Sequence, residues 1–313
     1  MSATLTLRAP HEDEVSEVVR VLNEASQAEF GVDDVNDEEI RRWFSQPDLD
    51  VSSDVFVAEE GGRLAAYADV SNVGQAFEQY WIDVRLPPGA SASAGDALAA
   101  AAERRAVEMA EAGPESKRGR IVGGAWSANE RLGGVFERAG FRLYRHSFRM
   151  VIDLEAEPSE AMFPAGLDVR TFRAGDEHAV FDAVDEAFRD SWDHVPGVFE
   201  EWRHWALDRD DFDPSLWWLA LDGDAIAGFC LCRPHETETD LGWVSSLGVR
   251  RPWRRRGIAR ALLLTSFHEF RRRGLSRVGL GVDADSQTGA NRLYEGAGMR
   301  PARRYDLYEK ALA

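Results

Sequence analysis

The chain has 313 residues, enough for one large domain or two ordinary ones, with 55 acidic against 37 basic side chains and a formal net charge of -18. An overall negative field repels phosphate and so excludes a general nucleic-acid binder. No run approaches the roughly eighteen apolar residues of a membrane helix, and MSATLTLRAPHEDE has neither the basic start nor the apolar centre of a secretion signal, so the expected compartment is the cytoplasm.

Taken in chain order, the segments recur. LRAPHEDEVSEVVRVLNEA from Leu7 is matched by FRAGDEHAVFDAVDEAF from Phe172. VFVAEEGGRLAAYADV from Val55 reads strand, glycine turn, strand, and WWLALDGDAIAGFCLC from Trp217 reads the same, with Gly61 on Gly223 and Tyr67 on Phe229. FERAGFRLYRHSFRMVIDL from Phe136 is matched by YEGAGMRPARRYDLYEKAL from Tyr294, each a helix end, an Ala-Gly turn and a strand. Three blocks in one order imply two copies of one domain. The polar stretch EAEPSEAMFPA carries two prolines and separates the copies. The expected division is a first domain over 1–155, a linker over 156–165 and a second domain over 166–313.

In the second copy, Leu167 to Phe172 is expected as a strand and Asp176 to Arg189 as an amphipathic helix. Ser191 to Pro214 is a tryptophan-rich segment with at least one short helix. Leu216 to Leu221 and Ala225 to Arg233 form a hairpin, and Thr239 to Val249 is a third hairpin strand. Gly257 to Arg273 is a helix stopped at Gly274, Arg277 to Val282 a strand, Ser286 or Thr288 to Glu295 a helix, and Tyr305 to Lys310 the last strand. Antiparallel strands followed by a strand–helix–strand crossover give an α/β fold on a mixed sheet. Cys230 and Cys232 sit on one face of a strand and are expected as small core thiols; no further ligands at metal spacing lie nearby, so no metal is expected.

VRRPWRRRGIARALL, residues 249–263, places six arginines in an acidic chain. A local basic island on such a protein suits a small anionic ligand. Arg254 to Ala259, RRRGIA, falls between a strand and a helix. A helix start carries unpaired N–H groups and partial positive charge. Gly257 has no Cβ, so a phosphate can come close to the main chain. Successive N–H groups there form an anion nest, and the arginines add charge from the sides. A diphosphate fits this arrangement.

RRRGIA also resembles the Arg/Gln-x-x-Gly-x-Gly/Ala signature of the GNAT superfamily of N-acetyltransferases. LGWVSSLGV before it and LGVDADSQTGANRLYEGAGM after it resemble the family's other cofactor segments, so the likeness spans nearly all of 167–313. The resemblance implies two tandem acyl-CoA N-acyltransferase (GNAT) folds and acetyl-CoA as co-substrate. It implies that Leu247, Gly248 and Val249 pair with the pantetheine arm. It implies that Arg254, Arg255, Arg256, Gly257, Ile258, Ala259 and Arg260 hold the diphosphate, with Ser286 and Asn291 as further contacts. Tyr294 matches the tyrosine that protonates the leaving thiolate, and the acceptor is a small-molecule amine that attacks the thioester directly. Glu238 and Asp240 are the nearest acids to the third hairpin strand, and no general base is assigned. Trp192, Asp193, His194, Trp243 and Ser245 are the expected acceptor contacts. A monomer or homodimer is expected.

The first copy has lost these parts. RLPPGASASAGDALA, Arg85 to Ala99, has no arginine beside its helix start, Phe136 stands at the place of Tyr294, and Gly133 at that of Asn291. Transfer is therefore expected in the second copy only. Length, tandem architecture and the block FDPSLWWLA resemble members of the family that acetylate the cysteinyl amine of a pseudodisaccharide, which carry an acid on the third hairpin strand where this chain has Trp243 and serines. A non-catalytic acyl-CoA sensor is the alternative from another class.

Overall fold

The computed structural model describes residues 5–73, 77–114, 119–191, 194–209, 211–235, 238–285 and 289–312. They form two compact units: Met1–His146 with Tyr305–Ala313, and Ser147–Arg304. The first repeat supplies β1 (Leu5–Arg8), α1 (Val15–Phe30), α2 (Asp37–Phe44), α3 (Val51–Asp54), β2 (Val55–Glu60), β3 (Arg63–Asn72), β4 (Gln79–Arg85), α4 (Ala92–Ala112), β5 (Arg120–Trp126), α5 (Glu130–Arg138) and β6 (Arg142–Asp153). The second supplies β7 (Asp168–Thr171), α6 (Glu177–Phe188), α7 (Phe199–Ala206), β8 (Trp217–Asp222), β9 (Ala225–Pro234), β10 (Leu241–Val249), α8 (Ile258–Arg272), β11 (Arg277–Asp283), α9 (Ala290–Gly296) and β12 (Arg300–Ala311).

In the first unit the strands run in the order β1-β2-β3-β4-β5-β12, and in the second β7-β8-β9-β10-β11-β6. Each sheet is antiparallel except at one pair, β4 with β5 and β10 with β11. A parallel pair needs a crossover, and α4 and α8 supply it. The last strand in each of these orders comes from the other repeat: Tyr305 to Ala311 pair with β5, and Ser147 to Asp153 pair with β11. Repeats in sequence and units in space therefore divide the chain differently. Residues 156–165 are irregular and lie along the second unit, where Ala161 and Phe163 pack on its core and Ser159 O meets His268 Nε2 at 3.1 Å.

The duplication persists in detail. Arg8 grips the Glu14 carboxylate with both terminal nitrogens at 2.7 Å, and Arg170 grips Asp176 in the same way at 2.6 and 2.9 Å. Each pair ties a first strand to the start of a first helix. The units differ in what they bury. On β4 the alternation is strict: Tyr80, Ile82 and Val84 enter the core, while Asp83 and Arg85 face the other way. β9 is buried along nearly its whole length, because both of its faces are covered. Leu262, Leu263, Phe267 and Phe270 of α8 are fully buried against one face, each contributing about 1.5–3 kcal/mol.

The expected elements of the second repeat form with ends shifted by a few residues. The last strand is longer than expected, beginning at Arg300. The expected start of the helix before Glu295, Ser286 or Thr288, lies outside the described residues; α9 runs Ala290–Gly296.

Candidate functional site

Between β10 and α8 the arginine run divides into two groups. Arg250 Nε donates to Glu186 Oε2 at 2.6 Å, Arg251 Nε to Asp190 Oδ2 at 2.9 Å, and Arg254 Nη1 to the same oxygen at 2.6 Å. Arg251 and then Arg254 hold the Asp190 carboxyl well below the usual range. Arg254 also donates to Val249 O and Ala187 O, both at 3.0 Å. Its guanidinium, expected on the cofactor, is instead engaged in fastening the turn to α6. Arg255, Arg256 and Arg260 have no ion-pair or hydrogen-bond partner among the described residues, and Arg255 and Arg256 are exposed.

The turn itself is sharply bent. Arg255 has φ +61° and Gly257 φ +85°. A left-handed arginine costs roughly 1–2 kcal/mol, and two left-handed residues on either side of Arg256 curl the main chain into a concave nest. Nothing lies within 4 Å of where a Gly257 Cβ would stand. No side chain caps the α8 start, so the N–H groups of Ile258, Ala259 and Arg260 are available, with Ile258 anchored in the core.

Upstream of this turn β10 and β11 part. They pair only at Leu241↔Arg277, Gly242↔Val278 and Trp243↔Gly279, although β10 continues to Val249. Among the described residues the edge of Val244 to Val249 facing β11 therefore has no strand partner, and a bulge in the pairing with β9 falls at Ser245. Gly248 is required here: a Cβ would lie 2.4 Å from the Phe229 ring. Leu247, Gly248, Val249, the turn and the α8 start thus form one continuous polar track.

Tyr294 on α9 is 8 % exposed and packs with the core of the same unit. Burial, with a smaller contribution from Cys230, raises its phenol above the ordinary value, so it remains protonated. Asn291 one turn earlier donates to Asp283 O and Ala284 O at 3.0 and 2.8 Å, which fixes the chain between β11 and α9; its Oδ1 is buried without a partner among the described residues. Cys230 and Cys232 are buried free thiols with Sγ atoms 3.5 Å apart.

Opposite the α8 side of the sheet, Trp243 lies across β11. Its ring is 2.9 Å from the position of a Gly279 Cβ, so only glycine fits there. Arg149 of β6 sits over the indole at 5.4 Å, and His235 meets it edge-on at 5.6 Å. Glu238 is ion-paired with Arg149 and, at 3.3 Å, with Arg277. Arg149 and Arg277 outweigh burial and hold its carboxyl below the usual range. Asp240 is likewise tied to Arg277 and Ser276. Neither acid is suited to accept a proton near neutrality. Ser245 is exposed and accepts from Arg233 Nε at 3.2 Å. His194 Nε2 is 3.2 Å from Asp185 Oδ1, out of hydrogen-bond alignment. Trp192, Asp193 and Ser286 lie outside the described residues. Arg149 escapes sequence reasoning because it belongs to the first repeat.

The first unit closes the helix start and the tyrosine position. Its α4 start is capped by Ser91, whose Oγ accepts from Ala94 N at 3.1 Å and whose N donates to Glu60 Oε2 at 3.2 Å. A carboxylate stands where the second unit presents cations. Phe136 is fully buried, stacked on Tyr308 of β12 at 5.3 Å, and a Gly133 Cβ would lie 2.8 Å from the Tyr308 hydroxyl. Ser91 before an alanine-rich helix is a readable cap; the arrival of Tyr308 is not readable locally. Among the described residues no group of three or more His, Cys, Asp or Glu could hold a metal, and no helix is long and apolar enough to cross a membrane.

A model of the Acetyltransferase (GNAT) family matches residues 178–299. Mycothiol acetyltransferase of Saccharopolyspora erythraea is 33% identical over 261 residues, covering 80% of this chain and 83% of that one. The crystal structure of a GCN5-related N-acetyltransferase from Sphaerobacter thermophilus superposes with TM-score 0.79 at 32% identity, over 98% of this chain and 95% of that one. A tandem GNAT protein from the clavulanic acid biosynthesis pathway shares the fold, with TM-score 0.70 at 15% identity over 98% of both chains.

Proposed function

Because the chain belongs to the GNAT family of acetyltransferases, and is thus an acyltransferase that draws on acyl-CoA, we propose that its second unit moves an acetyl group from acetyl-CoA to a primary amine of a small molecule. The observation that carries this reading is the contrast at the two crossover helices. The α8 start has two left-handed residues in its turn, and the guanidinium groups of Arg255, Arg256 and Arg260 have no partners among the described residues. The α4 start has a serine cap and Glu60.

Acetyl-CoA supplies the activated acyl group; the chain supplies position and protons. The Arg255–Gly257 turn with the α8 amides holds the diphosphate. The open edge of β10 aligns the arm, beginning at Leu247 to Val249, and a main-chain N–H farther along that edge donates to the carbonyl oxygen as charge develops there. Tyr294 keeps its proton until the sulfur needs it. With Glu238 and Asp240 bound to arginines, the amine gives its proton to solvent and attacks directly. Trp243, Ser245 and His194, with Trp192 and Asp193, are the proposed acceptor surroundings.

The similarity to mycothiol acetyltransferase over most of both chains favours a narrower second reading, in which the acceptor is the cysteinyl amine of a pseudodisaccharide. A panel of primary amines that includes this acceptor, followed by release of the CoA thiol, separates the two. Saturable CoA uptake without release from any amine would make the protein a sensor. The socket is tested by calorimetric titration with CoA. Arg256→Glu is expected to weaken uptake at least ~100-fold, since it reverses a charge facing a dianion, and Ala92→Glu at the α4 start to leave it unchanged. Equal loss in both variants would overturn the assignment to the second unit.

A further inference from the structure

We propose that the indole of Trp243 is the stop that limits the donor to a short acyl group. This rests on the reading above, in which the diphosphate sits at the α8 start. That placement sets a direction: the arm runs back along β10 from Val249 towards Val244. At ~3.3 Å per residue the open edge is on the order of 16 Å long. The reacting end therefore approaches the fork where Trp243 pairs with Gly279.

Three routes lead beyond the fork. In the plane of the sheet the way is shut by the β10–β11 pairing. On the α8 side it is shut by a packed core, where Val244 is 4 %, Leu280 1 % and Phe270 0 % exposed. The Phe270 ring reaches within 2.6 Å of a Gly242 Cβ position, so no space remains there. On the remaining side β11 presents Gly279 and Gly281 between Arg277 and Asp283, and a Cβ on Gly281 would meet nothing within 4 Å. Among the described residues, the side chain laid directly on Gly279 at the fork is that of Trp243. Its ring is clamped by Arg149 above and His235 at its edge, and Arg149 is itself held by Glu238. A two-carbon acyl group ends short of the ring; a longer chain runs into it. The glycines beneath mean that removing the indole opens the space down to the backbone of β11.

The test measures affinity as well as turnover. CoA, acetyl-CoA, butyryl-CoA and hexanoyl-CoA are titrated by calorimetry into the full chain and into Trp243→Ala and Trp243→Phe. The wild-type chain is expected to bind hexanoyl-CoA at least tenfold more weakly than acetyl-CoA. Trp243→Ala should remove most of that difference while leaving CoA affinity unchanged, and Trp243→Phe should fall between. Turnover with each donor should follow the same order. Equal wild-type affinity for acetyl-CoA and hexanoyl-CoA overturns the proposal, and so does a loss in Trp243→Ala that is the same for all four. If the alanine variant does not fold, the wild-type series and Trp243→Phe still decide. Failure of the wild-type chain to bind CoA at all would take down the socket as well, a result distinct from binding without length preference.

Discussion

At the scale of the residue, the chemistry turns on which groups keep their protons. Tyr294 is buried enough to stay a phenol, yet it makes no internal hydrogen bond among the described residues, so under the proposed mechanism its proton is free to pass to the leaving sulfur. Tyr294→Phe removes the hydroxyl and leaves the ring in place. It is expected to lower kcat by ~100-fold or more, the lower range for a lost general acid, with the calorimetric Kd for CoA unchanged. Unchanged kcat would end the acid role, and a matching loss of affinity would make it a packing residue. Its place in the motif was legible from Leu293, Tyr294 and Glu295 and from the Gly298-Met299 pair that follows. The state of Glu238 was not: as the nearest acid but one it could have been a base, and only the approach of Arg149 and Arg277 removes it.

At the scale of the element, the two repeats use the same strand pair for opposite ends. In the second unit β9 and β10 present Phe229, Leu231 and Gly248 to α6, an apolar face. In the first, β3 and β4 oppose Tyr67 to Arg85 and Asp69 to Asp83 across the ladder. Two carboxylates directly opposite repel, and the local remedy is a hydroxyl for one and a guanidinium for the other: Tyr67 donates to Asp69 Oδ2 and Arg85 Nε to Asp83 Oδ2, both at 2.7 Å. Burial first, and Asp83 second, push the Asp69 carboxyl up to about 8. An unfolded aspartate titrates near ~3.9. Between these values the folded state holds a proton that the unfolded state has released, so this group's contribution falls as pH rises through the window. Asp69→Asn has no such proton to lose. Denaturant midpoints from pH ~5 to ~9 should fall less steeply for this variant, which should exceed the wild-type chain at the alkaline end. An unchanged slope would place the proton elsewhere in the cluster.

At the scale of the whole molecule, each unit is finished by a strand from the other repeat. The first unit depends on residues 305–311: Tyr308 stacks on Phe136, Tyr305 covers Gly124, and Glu309 pairs with Arg120 at 3.0 Å. Losing one buried aromatic side chain costs about 3–5 kcal/mol, against a typical total of only about 5–15. A chain ending at Arg304 is therefore expected to lose hydrogen-exchange protection across 5–146 while residues 147–304 keep theirs and still take up CoA. Retained protection on β5 would show that the sheet closes without its last strand.

The sequence by itself determined what depends on neighbours along the chain: the duplication, the strand and helix periods, the glycine turn before α8, and the arginines that mark it. These are local because a hydrophobic period, a positive φ and a helix start are each specified within a few residues. The tertiary structure decided what depends on groups far apart in sequence. It chose which arginines of the run remain unpaired, by bringing Glu186 and Asp190 to the others. It laid Trp243 across Gly279 under Arg149, sealed Phe136 with Tyr308, and gave each sheet the other repeat's last strand. Charge and packing act through space, and the distances that set them exist only once the chain has folded.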